Sequence, residues 1–283
     1  MDSPYLITGP ALISFSGGRT SAYMLKMILD AHGGALPDDV HVCFANTGKE
    51  REETLRFVHE CATRWNVRVR WLEFRSDRKR LPVEERFAEV GYNSAARAGE
   101  PFEEIIRRKQ IGPNSLMRFC TERLKVQAMT DFAASIGWSK GAYTEVVGLR
   151  ADEMLRVFRL IERNEERGRK VIAPLAKARI RQSDVWQFWK QQPFDLGLKP
   201  GEGNCDLCFM KGRSNLVRLI RANPASADWW IKIEEGIGKG TFRKDYSYRQ
   251  LRAEAMATPL LPLDDLDDEH DAECGLWCAG EVA

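Results

Sequence analysis

One stretch decides the fold of this chain: Ser16-Gly17-Gly18-Arg19-Thr20-Ser21. It follows an apolar run, residues 11–15, that predicts a buried strand, and it precedes residues 22–29, which predict a helix. A strand followed by small residues and a helix start presents backbone N–H groups to an anion. The spacing matches neither a Walker loop nor a dinucleotide-binding fingerprint. The stretch therefore predicts an anion-binding loop of another kind.

Strands and helices alternate beyond this loop. Residues 41–45 and 67–74 predict two more strands, with a helix over residues 50–65 between them. This order predicts an α/β fold with a doubly wound, mostly parallel sheet and helices on both faces. Later elements are expected as strands over residues 143–148 and 171–173 and as helices over residues 121–136, 183–190 (with Ser183 as N-cap), 214–222, 226–236 and 248–257.

Composition indicates an ordinary globular protein. The chain has 283 residues, of which 43% are hydrophobic and 30% charged, and its net charge of +2 argues neither for nor against a nucleic-acid partner. No apolar run approaches the ~20 residues of a membrane span. The first residues lack a signal-peptide pattern, and seven cysteines are an odd number for a disulfide framework. We therefore expect a cytoplasmic protein with no membrane partner.

The cysteines form a second signal. Cys205 and Cys208 make a C-x-x-C pair in a glycine-rich polar loop, and Cys120 lies among basic residues at a predicted helix start. Cys274 and Cys278 follow near the end of the chain. Thiolates at such spacings can hold a metal centre or form a redox disulfide. The other two thiols are expected to be buried and inert: Cys43 in its strand and Cys61 in its helix.

Taken in chain order, the motifs resemble the sulfonucleotide reductases, a family within the adenine-nucleotide alpha-hydrolase superfamily that reduces phosphoadenylyl or adenylyl sulfate. The resemblance covers nearly the whole chain. It begins with the S-G-G loop and Asn46-Thr47-Gly48, which stands where the family has D-T-G. It continues through residues 119–123, 148–153, 174–175, 184–186 and 203–208, and ends at Glu273-Cys274-Gly275-Leu276.

The resemblance implies specific site residues. Nucleotide binding is implied for Ser16, Gly17, Gly18, Arg19, Thr20, Ser21, Asn46, Thr47, Gly48, Gly148 and Arg150. Catalysis is implied for Cys274 as nucleophile, with Arg150 and Arg123 in a basic pocket that also includes Arg118, Lys125 and Arg156. A [4Fe-4S] cluster, with zinc as the alternative, is implied on Cys120, Cys205 and Cys208. Because Phe119 replaces a family cysteine, Cys278 or Cys274 would be the fourth ligand, or one iron would have an open position.

Three functions stay open at this point. In a reductase, Cys274 would attack the sulfur of the sulfonucleotide, and thioredoxin or glutaredoxin would supply electrons. In an ATP-dependent sulfur-transfer enzyme, the loop would bind ATP, and the basic residues 75–115 would contact the backbone of tRNA or DNA. Phe119 and Trp277 depart from the family pattern, which is compatible with a non-catalytic nucleotide-binding or redox-sensing relative. Homo-oligomerisation is also left open.

The chain divides into three predicted parts. Residues 1–200 form a nucleotide-binding α/β domain, interrupted by a basic surface insertion at residues 75–115 with one or two short helices. Residues 201–260 form the C-x-x-C loop and a helical region packed on that domain. Residues 261–283, which are mostly acidic as far as Glu273 and contain Cys274 and Cys278, form a mobile tail.

Overall fold

In the computed structural model, which describes residues 3–236 and 241–257, six strands form one sheet in the order β4-β3-β2-β1-β5-β6. Neighbouring strands are parallel except β4, which runs antiparallel to β3 at one edge. The strands are β1 Ala11–Ser14, β2 Val40–Asn46, β3 Val69–Phe74, β4 Phe87–Val90, β5 Thr144–Val146 and β6 Lys170–Ile172. The predicted mostly parallel α/β sheet is confirmed.

Ten α-helices connect and cover these strands within the described ranges. They are α1 Arg19–Ala31, α2 Glu52–Arg64, α3 Glu100–Lys109, α4 Ala128–Ser135, α5 Met154–Glu166, α6 Pro174–Lys177, α7 Gln182–Lys190, α8 Arg213–Ala222, α9 Asp228–Gly236 and α10 Tyr248–Ala257. A π-helix, Cys120–Gln127, runs directly into α4. Among these elements, no helix has the length and apolar character needed to cross a bilayer.

The sheet is buried on both faces, as a doubly wound fold requires. On one face Ile13 of β1 belongs to a cluster with Leu25 of α1 and Phe57 of α2. On the other face Leu12 packs in a separate cluster with Phe132 of α4. Because successive side chains of a strand point to opposite faces, a central strand needs a continuous apolar run. Such a run is what the sequence of β1 provides.

The strand register brings three connecting segments to one edge of the sheet. Ser14, the last residue of β1, is paired with Cys43 of β2, and Ile13 is paired with Val146, the last residue of β5. All three strands are parallel, so the segments that follow them leave the sheet on the same side. Open α/β sheets bind ligands at this carboxyl edge.

A second core lies between α3 and the helices that follow the last strand. Phe102 of α3, Leu216 of α8 and Trp230 of α9 are buried together there. The C-x-x-C loop is anchored in this core, because Leu207 between the two cysteines is buried in it and Phe209 follows. The loop is therefore positioned by packing on both sides of Cys208.

The structure differs from the sequence-based expectations in several elements. The segment over residues 75–115 contains β4, which completes the sheet edge, and α3, whose Ile105 and Ile106 are buried. Helix α5 was not predicted. The N-cap of α7 is Arg181 rather than Ser183, because the side chain of Asp184 accepts a hydrogen bond from the Arg181 backbone N–H at 2.7 Å. The acidic stretch and the tail predicted over residues 261–283 lie outside the described residues.

Candidate functional site

The loop after β1 has a backbone conformation that glycine permits. Gly17 has φ +79°, which L side chains rarely adopt. A Cβ on Gly17 would lie 2.6 Å from Cγ2 of Thr54, so the loop packs directly on α2. The Ser16 backbone N–H donates to Oγ of Ser21 at 3.2 Å. Gly18 is the N-cap of α1 and has no side chain to cap it, so the first-turn N–H groups suit an anion.

Arg150 reaches this loop from the segment that follows β5. Its Nη1 donates to Oγ1 of Thr20 at 2.9 Å, while its Nε donates to Asp152 at 2.9 Å. Gly148 lies close as well, since a Cβ there would come 3.2 Å from Cα of Ser21. The loop and the segment that follows β5 therefore lie at the same edge of the sheet. A guanidinium held in place by a carboxylate is thus presented beside the anion-binding loop.

The side chain of Arg19 has a different role from the rest of the loop. Its guanidinium binds Asp195, with Nε 2.7 Å from Oδ1, and also donates to the carbonyl oxygen of Leu198 at 2.9 Å. Its Cζ lies 4.4 Å from the ring centroid of Trp186. Burial tends to raise the pKa of Asp195, but hydrogen bonds from Arg19 and the Gly197 N–H lower it below its ordinary value. Arg19 therefore ties the loop to the segment before the C-x-x-C motif.

The second strand end is fixed by a buried amide. Asn46 is fully buried, and its Nδ2 donates to Oε1 of Glu73 at 2.8 Å and to the carbonyl oxygen of Ala96 at 2.9 Å. Its Oδ1 accepts the Gly48 N–H at 3.1 Å. Gly48 has φ +78°, and a Cβ there would lie 3.0 Å from Cα of Gly99. The turn after β2 is therefore fixed by side-chain hydrogen bonds and a close backbone contact.

Glu50 joins that turn to the thiol loop. Its Oε2 accepts both the backbone N–H of Thr47 at 2.7 Å and the Thr47 hydroxyl at 2.8 Å. Its Oε1 lies 3.5 Å from Nζ of Lys125 and 3.8 Å from Sγ of Cys205. The Glu50 side chain is only 1% exposed. A single buried carboxylate therefore contacts the end of β2, the π-helix and the C-x-x-C loop.

Two cations flank the C-x-x-C loop. Nζ of Lys211, a buried residue, donates to the carbonyl oxygen of Cys205 at 2.5 Å. Burial lowers the pKa of Lys211, against the opposing effect of Cys208 and Cys205. Lys49 forms an ion pair of 2.8 Å with Asp206, between the two cysteines. Positive charge close to thiols favours thiolates.

Cys120 is the first residue of the π-helix. The same helix carries Lys125, which forms an ion pair with Glu50. Among residues 3–236 and 241–257, no group of three potential ligands is close enough to hold a metal ion. The donor chemistry suits iron or zinc, because Cys205 and Cys208 place two thiols in one loop and thiolates bind both metals. Cys274 and Cys278 lie outside the described residues. Cys43 and Cys61 are fully buried, and burial raises the pKa of both thiols.

Two arginines of the predicted basic pocket form ion pairs with carboxylates close to them in the chain. Arg123 lies 3.4 Å from Glu122 through Nη2, and Arg156 pairs with Glu153. Three guanidinium Nε atoms are buried without a hydrogen-bond partner among the described residues: those of Arg51, Arg118 and Arg123. A buried unpaired donor costs free energy unless a ligand or water satisfies it. These atoms are therefore candidates to receive an anionic substrate.

Glu50, Asp195 and Lys211 are among the polar residues of the site that were not predicted from sequence. The signal for Glu50 was its place two residues after Asn46-Thr47-Gly48, at the end of a strand. Nothing in the sequence pairs Asp195 with Arg19, because 176 positions separate them. Lys211 follows the C-x-x-C motif by three residues, but only the fold shows that it is buried.

The chain has detectable similarity to known proteins. The model of the phosphoadenosine phosphosulfate reductase domain matches residues 10–194, which include the sheet, the loop after β1, the turn after β2 and Cys120. The uncharacterized nin region protein ORF290 of Escherichia phage lambda is 30% identical over 216 residues, which are 72% of this chain and 67% of that protein. The U34-tRNA thiolase NcsA from Methanococcus maripaludis, solved with its [4Fe-4S] cluster, aligns with 10% identity and a TM-score of 0.38, covering 96% of this chain and 81% of its own.

Proposed function

The chain belongs to the phosphoadenosine phosphosulfate reductase domain family, and from this premise we propose that it is a sulfonucleotide reductase that converts phosphoadenylyl or adenylyl sulfate to sulfite. The observation that carries the proposal is the contact between Arg150 Nη1 and Thr20 Oγ1 at 2.9 Å. This contact places the Arg150 guanidinium beside the N-terminus of α1, at the carboxyl edge of the sheet. That arrangement suits the phosphate and sulfate oxygens of such a substrate.

The nucleotide would be bound mainly by the first two strand ends and the segment after β5. Backbone N–H groups of Gly17 and Gly18 can approach a phosphate closely, because neither residue carries a side chain. Arg150 would neutralise the anion from the opposite side. The buried donors of Arg118 and Arg123 would gain partners when the sulfate group arrives, which would favour anionic substrates over a nucleoside.

In the reaction we propose, the thiolate of Cys274 attacks the sulfur of the sulfonucleotide. An S–S bond forms, the bond from sulfur to the phosphate oxygen breaks, and AMP or its 3′-phosphate derivative leaves. A thiolate of thioredoxin or glutaredoxin then attacks Sγ of Cys274, releasing sulfite and forming a mixed disulfide. The donor's second thiol resolves that disulfide. The sulfonucleotide sulfur thus gains the two electrons that the dithiol loses.

We further propose that Cys120, Cys205 and Cys208 hold a [4Fe-4S] cluster, with Cys278 as the fourth ligand and zinc as the alternative metal. Support comes from the donor chemistry of the thiols and from Glu50, whose Oε1 lies 3.8 Å from Sγ of Cys205 and 3.5 Å from Nζ of Lys125 on the π-helix that Cys120 begins. When bound, such a cluster would supply an electrostatic influence on the anionic substrate. Anaerobically purified protein should contain iron and acid-labile sulfide, whereas colourless protein with stoichiometric zinc would favour the alternative.

One observation favours a second candidate, an ATP-dependent sulfur-transfer enzyme. Phe119, which stands where the reductases have their first cluster cysteine, is 7% exposed and packs in the apolar core of the helical region. If no other thiol replaces that cysteine, Cys120, Cys205 and Cys208 alone would hold the cluster, which would then supply sulfur-transfer chemistry for an adenylated base. The S-G-G loop would then bind the phosphates of ATP.

One experiment separates these candidates. The protein is incubated anaerobically with adenylyl sulfate, phosphoadenylyl sulfate or ATP, each with reduced thioredoxin. The ATP reaction also contains tRNA and inorganic sulfide, which supplies the sulfur that displaces AMP. Sulfite with AMP or its 3′-phosphate derivative supports the reductase. AMP with pyrophosphate from ATP supports the sulfur-transfer enzyme. If no product forms with any of the three, both candidates fail.

A further inference from the structure

Residues 75–81, which we call the basic loop, follow β3 and carry exposed cations at their tip. The side chains of Arg78, Lys79 and Arg80 are exposed. Within residues 3–236 and 241–257, none of these three forms an ion pair with a carboxylate. The chain as a whole has a net charge of only +2. The tip is therefore a local concentration of positive charge and does not reflect a generally basic surface.

The basic loop is held in shape by Arg86. The guanidinium of Arg86 donates to the carbonyl oxygen of Leu81 at 2.7 Å and to that of Lys79 at 2.7 Å. Its own carbonyl oxygen accepts the N–H groups of Arg75 at 2.8 Å and Ser76 at 3.0 Å. A loop fixed in this way loses little conformational entropy when its exposed side chains bind a partner.

A second basic element is attached to the loop through Arg108 of α3. Arg108 donates to Oγ of Ser76 at 2.9 Å and lies 2.5 Å from Asp77. This contact sets the last turn of α3, with Arg107 and Lys109, against the basic loop. Nζ of Lys109 lies 5.2 Å from the ring centroid of Phe119, next to Cys120. The cationic surface thus extends from the loop tip toward the predicted thiol centre.

The basic loop also lies at the carboxyl edge of the sheet. Glu73, at the end of β3, accepts a hydrogen bond from Asn46 through one oxygen and pairs with Arg75 at 3.2 Å through the other. Asn46 ends β2, where we place the nucleotide. A long polyanion bound along the basic loop would therefore pass beside the nucleotide site.

From these contacts we propose that the basic loop and the last turn of α3 bind the phosphodiester backbone of a nucleic acid. The cations at the tip, Arg78, Lys79 and Arg80, have no acidic partner among residues 3–236 and 241–257, which suits a repeating row of phosphates. Arg107 pairs with Glu104, and the exposed Glu84 and Glu85 follow the loop. The contact is therefore confined to the tip and the adjacent turn. The proposal goes beyond sulfonucleotide reduction and does not depend on it.

The test is a fluorescence-anisotropy titration without any adenine nucleotide, using the full chain. The probes are a tRNA transcript, a single-stranded DNA and the matching duplex, each measured between low and physiological salt. The test variant is Arg78→Gln/Lys79→Gln/Arg80→Gln. The matched control is Lys177→Gln/Lys190→Gln/Lys199→Gln, which removes the same charge from exposed positions elsewhere. Thermal unfolding of both variants checks that they fold.

We expect binding to at least one probe, with an affinity that falls steeply as salt rises. The test variant should bind at least about 10-fold more weakly, and its log–log salt slope should be smaller by about 2 to 3, while the control keeps both values. Tighter binding of the tRNA transcript or of one of the DNA probes shows which type of nucleic acid this surface prefers. The proposal is overturned if the wild type binds none of the probes at low salt, or if both variants lose affinity equally.

Discussion

Sγ of Cys205 lies 3.8 Å from Oε1 of Glu50, and the backbones of the two residues form an isolated antiparallel bridge. The same buried carboxylate accepts two hydrogen bonds from Thr47 and pairs with Lys125. The turn after β2 and the C-x-x-C loop are therefore parts of one packed unit, although about 155 positions separate them in the chain. The carboxyl edge of the sheet and the thiol loop therefore lie side by side, as the proposed function requires.

Replacing Glu50 tests this unit. The Glu50→Gln variant should lose about 3 kcal/mol of unfolding free energy, because it leaves the buried Lys125 ammonium without its carboxylate. The control Glu122→Gln removes an exposed partner of Arg123 and should cost less than about 0.5 kcal/mol. Urea denaturation measures both. Equal losses in the two variants would show that Glu50 has no special structural role.

Gly17 should be intolerant of a side chain. Gly17→Ala combines a positive φ with a Cβ 2.6 Å from Thr54 Cγ2, whereas Gly33→Ala has φ +67° and nothing within 4 Å. Gly33→Ala therefore isolates the backbone strain, about 1 kcal/mol. Gly17→Ala should cost at least about 1 kcal/mol more, through overlap with α2, and should weaken adenine-nucleotide binding. Similar unfolding free energies for the two variants would contradict the close packing of the loop.

The Arg19–Asp195 pair should give a pH-dependent stability. The pKa of Asp195 is lowered in the folded protein. The contribution of its carboxylate to the free energy of unfolding is therefore complete above the unfolded-state pKa of about 3.9, and it is lost as the pH falls through the lower folded-state pKa. The stability difference between the wild type and Asp195→Asn should therefore be constant near neutral pH and shrink below about pH 4. Denaturation at several pH values measures it. A difference that stays constant into acid would mean that the carboxylate charge does not contribute.

Arg150 should contribute directly to nucleotide affinity. Arg150→Ala removes the guanidinium beside Thr20 and should weaken AMP or ADP binding by at least about 10-fold, as expected for a charge-assisted hydrogen bond. Arg159→Ala, at an exposed position on α5, removes the same charge and should have little effect. Calorimetric titration distinguishes them. Unchanged affinity in Arg150→Ala would place the nucleotide elsewhere.

The fold was largely predictable because its signals are local. The apolar run over β1, the small residues after it and the periodicity of α1 and α2 each reflect one element and its burial. Strand β4 was missed because it has four residues at a sheet edge, and only Phe87 and Val90 are strongly apolar. Helix α5 was not predicted although Val157 and Leu160 recur at helical spacing and are buried, and it carries exposed Leu155 and Phe158 beside them.

The site was predictable only where its residues lie in sequence motifs. The S-G-G loop, Gly148 and Arg150 do lie at one edge of the sheet. Arg19 lies in the same motif, but its side chain binds Asp195, a contact that depends on how the chain folds back. Glu50 acquires its importance from Lys125 and Cys205, which tertiary packing brings to it.

The central claim is that Cys274 accepts the sulfonate group of a sulfonucleotide. The most direct measurement is the mass of the intact protein after anaerobic incubation with adenylyl or phosphoadenylyl sulfate, with no external thiol present. The account predicts a gain of one sulfonate group, located on Cys274 by peptide mapping, released as sulfite by thioredoxin and absent in Cys274→Ser. Nucleotide release without this adduct, or an adduct on another residue, would contradict it.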